Sequence, residues 1–197
     1  MDKKILVSMM VIGLVAALAG AVLHAYFSDT EKSEGNTFTA GTLDLELSAA
    51  EGSVDRLNVG PLAPGDSGSN TWIAKNVGSI AGKLSLTVSS ITNNDNGLTE
   101  PESEAGDTTG GDGGGELGQY LNVVLWVDLN GNGQKDNGEV LYSGTLNGMA
   151  RTYSNVATLG KDASVKIILE WSINSDVGNI IQSDSASFDI TFSLVQA

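Results

Sequence analysis

The sequence predicts an all-β, jelly-roll-like β-sandwich preceded by a cleaved N-terminal signal helix. Three observations carry that reading. From about residue 36 onward apolar and polar residues alternate with a period of two. Gly is abundant at 25 residues while Pro is scarce at 3, and Thr, Ser and Val are frequent, the balance expected of short strands joined by turns. One apolar run, at the N-terminus, stands apart from everything that follows. With 41% hydrophobic residues over 197 positions, the chain can bury a core of ordinary domain size.

The first segment, residues 1–25, reads as an export signal. Lys3 and Lys4 precede an apolar stretch from Ile5 to about Leu23. A retained membrane anchor is the rival reading, because roughly 20 apolar residues span a bilayer. Two cleavage points fit: Ala19-Gly20-Ala21 matches the small-x-small pattern, and a cut after Ala25 makes Tyr26 the first mature residue and removes His24, the only histidine. The expectation is a secreted protein, processed by signal peptidase and touching the membrane only through an uncleaved signal.

Residues 26–197 then read as one domain. TLDLEL, GKLSLTV and ASFDITFSLV alternate cleanly, and VDRLNV, NTWIAKN, YLNVVLWV, EVLYSGTL and SVKIILEWSI are further strand candidates. No convincing amphipathic helix follows the signal. LAPGD, Leu62–Asp66, is a Pro-Gly turn, and KNVGSIAG, Lys75–Gly82, a second strand-to-strand connection. The stretch at about 93–118 is acidic, Gly-rich and nearly free of large apolar residues. It reads as an exposed, mobile insertion. Its sharper reading is a second cation site using Asp107, Asp112 and Glu116. It is not a phosphate loop, since no Lys follows at the required place.

The stretch DLNGNGQKDNGE, Asp128–Glu139, meets every position of the calcium-loop pattern D-x-[DN]-x-[DN]-G-x5-E. Calcium is a hard cation that takes six to eight oxygens at about 2.3–2.6 Å. Asp128, Asn130 and Asn132 supply side-chain oxygens on alternate residues. Gly133 permits the sharp turn, Gln134 offers its carbonyl, Asp136 binds directly or through water, and Glu139 closes the site with both oxygens. The bland alternative is an Asn-Gly hairpin turn built of the same residues. Strands rather than helices flank the loop, so Ca2+ here would be a staple and not a sensor. With three acids among its ligands, the expected affinity is ~10⁻⁴–10⁻³ M.

Other chemistries are thin. Without cysteine the chain has no disulfide, thiolate metal site or cysteine nucleophile. One histidine cannot build a His-based zinc centre or serve a Ser-His-Asp triad once the leader is gone. Carboxylates are plentiful, but aromatic content is only 6%, low for a sugar cleft. A net charge of −14 makes nucleic acid and anionic lipid poor partners. Trp72, Trp126 and Trp171 fall within strand candidates and read as core or groove-lining residues.

The stretch AYFSDTEKSEGNTFTAGTLDLEL, Ala25–Leu47, resembles the start of the TasA/camelysin family: an Ala and aromatic pair, a Ser-Asp, a polar spacer, then the F-x-x-G-T-L-D-L strand of Phe38, Gly41, Thr42, Leu43, Asp44 and Leu45. The LxPGD turn, the N-x-G-S segment at Asn76–Ser79 and the closing SFDITFSLVQA are similar as well, while residues from about Ile91 to Lys161 match only in strand order. The resemblance implies an exported jelly-roll subunit of an extracellular filament, a bundling pilus or biofilm matrix fibre. It also implies cleavage after Ala25 and assembly with itself by donor-strand exchange. The donor strand would lie at about 26–48, with Tyr26, Phe27, Phe38, Leu43, Leu45 and Leu47 as polymerisation residues. An incoming strand supplies ladder hydrogen bonds and side chains for pockets, and a heterologous contact of that kind propagates into an open homopolymer. Camelysin-type members carry a metalloprotease label, against which the single histidine speaks; the expectation is a protein that is not an enzyme. A monomeric secreted or cell-surface calcium-binding adhesion module is the alternative.

Overall fold

A computed structural model describes residues 41–50 and 62–197. The signal segment, Tyr26, Phe27, Phe38 and the strand expected over Val54–Val59 lie outside the described residues. Eleven strands are present: β1 Leu45–Ala49, β2 Ser67–Asn76, β3 Gly82–Val88, β4 Thr92–Asp95, β5 Gly111–Asp112, β6 Leu121–Asp128, β7 Val140–Thr145, β8 Thr152–Leu159, β9 Ser164–Ile173, β10 Asp184–Ser187 and β11 Ile190–Gln196. Two short helices, α1 (Glu100–Glu104) and α2 (Leu117–Tyr120), interrupt them.

The architecture is an all-β sandwich of antiparallel sheets. A five-stranded sheet runs β1–β2–β9–β6–β7 and a three-stranded sheet runs β11–β3–β8. The alternating residues that predicted strands are those that face inward. Leu84, Leu86 and Val88 of β3 meet Val123, Leu125 and Val127 of β6 and Val165, Ile167 and Leu169 of β9 in one core. Burial of each such side chain contributes about 1.5–3 kcal/mol. A third small sheet, β10–β4–β5, is built largely from the stretch at 93–118.

Each sheet of the sandwich shows a feature that period-two counting does not foresee. Trp126 and Ile168, paired across β6 and β9, are buried on the outer face of the large sheet. There Trp126 Nε1 donates to Glu170 Oε1 at 3.1 Å, and Lys135, from the loop after β6, forms an ion pair with Glu170. In the small sheet the pairing of β3 with β8 slips between Leu84 and Leu86, and Asn155 takes a positive φ of 55° at the bulge. Its amide donates to Ser85 Oγ at 3.0 Å.

The stretch at 93–118 is exposed over much of its length, as expected, yet it carries ordered elements and buried residues. It contains β4, α1, β5 and α2, and it buries Glu102, Asp107 and Leu117. Glu102 explains the helix start: its Oε2 accepts the Thr99 amide at 2.6 Å, and Pro101 stands in the first turn. Low apolar content signalled exposure, but polar atoms rather than apolar ones hold this segment.

Candidate metal centres and a candidate assembly edge

The loop Asp128–Glu139 joins the adjacent strands β6 and β7, as their sequence flanks predict. Its two ends are buried, and everything from Leu129 to Gly138 is exposed. Asp128 Oδ2 accepts the Gly133 amide at 3.0 Å; Glu139 accepts the Leu129 amide through Oε1 at 2.9 Å and the Asp136 amide through Oε2 at 3.0 Å. Gly133 itself sits at φ 71°, a backbone conformation that L side chains disfavour. Asn130 Oδ1 takes the Asn132 amide, and Asn132 Oδ1 the Gln134 amide, so the alternate-residue pattern curls the chain. Both Asn amide groups donate to Asp136 Oδ2, and these two bonds hold the Asp136 carboxyl below the usual carboxylate range. Asp128 is only 2% exposed, yet its Oδ1 has no hydrogen-bond partner. The loop's lysine is engaged by Glu170. A buried carboxylate oxygen without a donor, in a ring of oxygen-bearing residues, is the donor set a hard divalent cation takes.

Among the described residues, one group of three acids brings an oxygen from each within 4.8 Å of the others, and it lies elsewhere: Asp95 at the end of β4, Glu102 in α1 and Asp184 at the start of β10. Of the residues proposed from sequence for a site in this region, Asp107 and Glu116 converge beside the group, bridged by Thr109. Its hydroxyl lies 2.9 Å from Asp107 Oδ1 and 3.0 Å from Glu116 Oε1. Asp112 stays exposed on β5, paired with Asn94. Its place is taken by Asp95, Glu102 and Asp184, which sequence reasoning missed because Asp184 stands far along the chain. Burial pushes the Asp184 carboxyl up, amide hydrogen bonds from Glu116 and Leu117 oppose this, and the charges of Asp95 and Glu102 push it further up. Burial raises Glu116 too, Thr109 opposes, and Asp107, Asp184 and Asp95 add to the rise. Such a group has the chemistry to hold a metal ion.

The residues expected to mediate assembly divide. Segment 41–44 docks on the connection after β2: the Val77 amide donates to Asp44 O at 2.9 Å, the Ser79 amide to Thr42 O at 2.8 Å, and the Thr42 amide to Ser79 Oγ at 2.8 Å. Thus the G-T-L-D and N-x-G-S stretches, distant in sequence, form one joint. Asn76 holds it from below. Fully buried, it donates to Ile80 O at 2.8 Å and Leu159 O at 3.0 Å and accepts the Gly78 amide at 3.0 Å. Beyond the joint, β1 pairs with β2 at the sheet edge, with Leu45 and Leu47 opposite buried Asn76 and Ala74. Leu45 is half-buried against the core, but Leu47 is 41% exposed. Across the sandwich, β11 is the matching edge strand. Its core-facing Ile190, Phe192 and Leu194 are only half-buried, although their partners Val88, Leu86 and Leu84 are buried. The Phe192 ring lies 6.1 Å from that of Trp72, and Leu194 and Leu43 both crowd Gly82. The two edges flank a common, partly uncovered seam.

Among the described residues no helix is long and apolar enough to cross a membrane. A family model described as camelysin metallo-endopeptidase matches residues 1–197. No curated protein matches the chain.

Proposed function

The chain belongs to the camelysin family, and on that premise we propose that it is a secreted structural subunit of an extracellular filament, a bundling pilus or biofilm matrix fibre, assembled by donor-strand complementation. The observation that supports this best is the seam between β1 and β11. An edge strand presents unpaired backbone groups and invites another chain. On β11 that edge is joined to a row of apolar side chains that its own sheet leaves half-covered. The occupant is the segment at 26–40 of a second copy, which carries Tyr26, Phe27 and Phe38 and becomes free when signal peptidase cuts after Ala25. Its apolar side chains would cover Phe192 and Leu194 while its backbone extends the three-stranded sheet. Donor and acceptor surfaces differ, so the contact propagates rather than closes.

Calcium in the Asp128–Glu139 loop stabilises the subunit in this reading. Lys135 ties the loop over the outer face where Trp126 and Ile168 are buried, so fixing the loop with an ion fixes their cover. The family's description is of a metallo-endopeptidase. The only histidine of this chain, His24, lies in the signal segment, so a histidine-ligated zinc centre cannot form from the processed chain. Electron microscopy of the purified processed protein tests the proposal: filaments of constant width are expected, and dispersed particles at every concentration refute it. The monomeric calcium-binding adhesion module is favoured by one observation, that β1 already completes the large sheet of its own chain. Removing signal cleavage by substitution at Ala25 and still finding fibres of precursor would also count against the donor mechanism.

A further inference from the structure

We propose that Asp95, Glu102 and Asp184 form a second divalent-cation site, with the oxygen donors calcium takes, that clamps the 93–118 segment to the strand leading into β11. Convergence of acids is not by itself a site. What points to a ligand is Asp95: it is 2% exposed, Oδ1 accepts the Gly97 amide at 2.8 Å, and Oδ2 accepts nothing. Asp184 shows the same division, with Oδ2 taking the Glu116 and Leu117 amides at 2.6 and 2.8 Å and Oδ1 left without a donor. A native buried oxygen without a partner is uncommon, and here two sit on acids of one group.

The neighbouring groups do not relieve the charge. Ser183 Oγ lies 3.3–3.4 Å from both oxygens of Glu102 and from Asp95 Oδ1, and 3.2 Å from Gly97 O, yet it has one proton to give. Asp107 Oδ2 and Glu116 Oε2, beside the group, are buried without partners too. The charged groups acting on Asp184 and Glu116 are all carboxylates. Glycines leave room at the orphaned oxygens: a Cβ on Gly110 would come 3.5 Å from Asp95 Oδ2, and one on Gly115 2.9 Å from Asp184 Oδ1. A cation there would join β4, α1 and β10, whose chain continues into β11. The proposal does not depend on assembly or on the Asp128 loop.

Calorimetric titration of calcium into the chelator-treated protein tests it. The unsubstituted protein is expected to bind two equivalents, Asp95→Asn one, and the loop variant Asp128→Asn one. Asp95→Asn keeps an acceptor for the Gly97 amide and removes the charge; Glu102→Gln is the second variant and is expected to lose the same equivalent. If the loop fails to bind, the unsubstituted protein and Asp128→Asn both bind one equivalent and Asp95→Asn none, which sinks the loop reading and sustains this one. If Asp95→Asn and Glu102→Gln bind as the unsubstituted protein does, the proposal is overturned. Hydrogen exchange on the unsubstituted protein decides without any variant: calcium should slow exchange at the Gly97, Glu116 and Leu117 amides, and no slowing by calcium overturns the site.

Discussion

Replacing Asn76 by Ala tests the joint between the two motifs most directly. The side chain is fully buried, makes two donations and accepts one amide. Each net hydrogen bond contributes about 0.5–1.5 kcal/mol, and each buried partner left unsatisfied adds about 1–3 kcal/mol of desolvation penalty. Relaxation of the exposed connection recovers part of that, leaving an expected loss of about 3 kcal/mol. For a chain of this size the melting temperature should fall by about 6–12 °C. Urea unfolding followed by circular dichroism gives the free energy. Hydrogen exchange at the Val77 and Ser79 amides, which bond Asp44 O and Thr42 O, shows whether the docked segment is released. A loss below about 1 kcal/mol, with those amides still protected, would refute the reasoning that Asn76 holds the joint.

Gly78→Ala should strike the same joint sterically, since its Cβ would lie 2.3 Å from Thr42 O and 2.7 Å from the Asp44 amide nitrogen; a loss of about 2 kcal/mol or more is expected in urea unfolding, with faster exchange at the Val77 amide. Tyr153→Phe removes the 2.8 Å donation to Met149 O and should cost about 1–2 kcal/mol at neutral pH. Burial raises the Tyr153 phenol above its ordinary value, only partly offset by Arg151; that contribution is therefore present below the unfolded pKa of about 10 and lost as pH rises through the folded pKa. Alkaline unfolding of the Phe variant should lack this component, and a phenolate titration should show Tyr153 ionising late. Chelation should abolish a calcium-dependent rise in melting temperature of about 5–10 °C per site at a hundredfold excess over Kd, Asp128→Asn should remove the loop's share of it, and loosening of the cover over Trp126 should shift its fluorescence. Identical melting curves with and without chelator in the unsubstituted protein would remove calcium from both sites.

Much of this fold was legible because its buried strands are rich in β-branched and apolar residues, alternating strictly in GKLSLTV and running on through Ile167, Ile168 and Leu169 in SVKIILEWSI; these are β3 and β9 to the residue. β8 escaped because the bulge opposite Ser85 puts its apolar residues at 153, 156, 157 and 159, which breaks the period. ASFDITFSLV read as one strand, but it divides into β10 and β11, with Phe188 and Asp189 between them. The Asp128 loop was visible because its candidate ligands are local in sequence. The Asp95 group was not, because its members come from β4, α1 and β10 and sit where acidity and glycine content signal exposure. Glu102 is hidden further by its capping role, which gives a polar residue a reason to be buried.

The joint at Gly41–Asp44 anchors whatever precedes it. If the mature chain begins at Tyr26, the leash upstream is the stretch 26–40, whose full extension reaches about 50 Å at ~3.3 Å per residue. A domain of this size is about 40 Å across. An arm moored there can therefore cross one neighbour and no more, which caps the axial repeat of any filament it builds and forbids skipping a subunit.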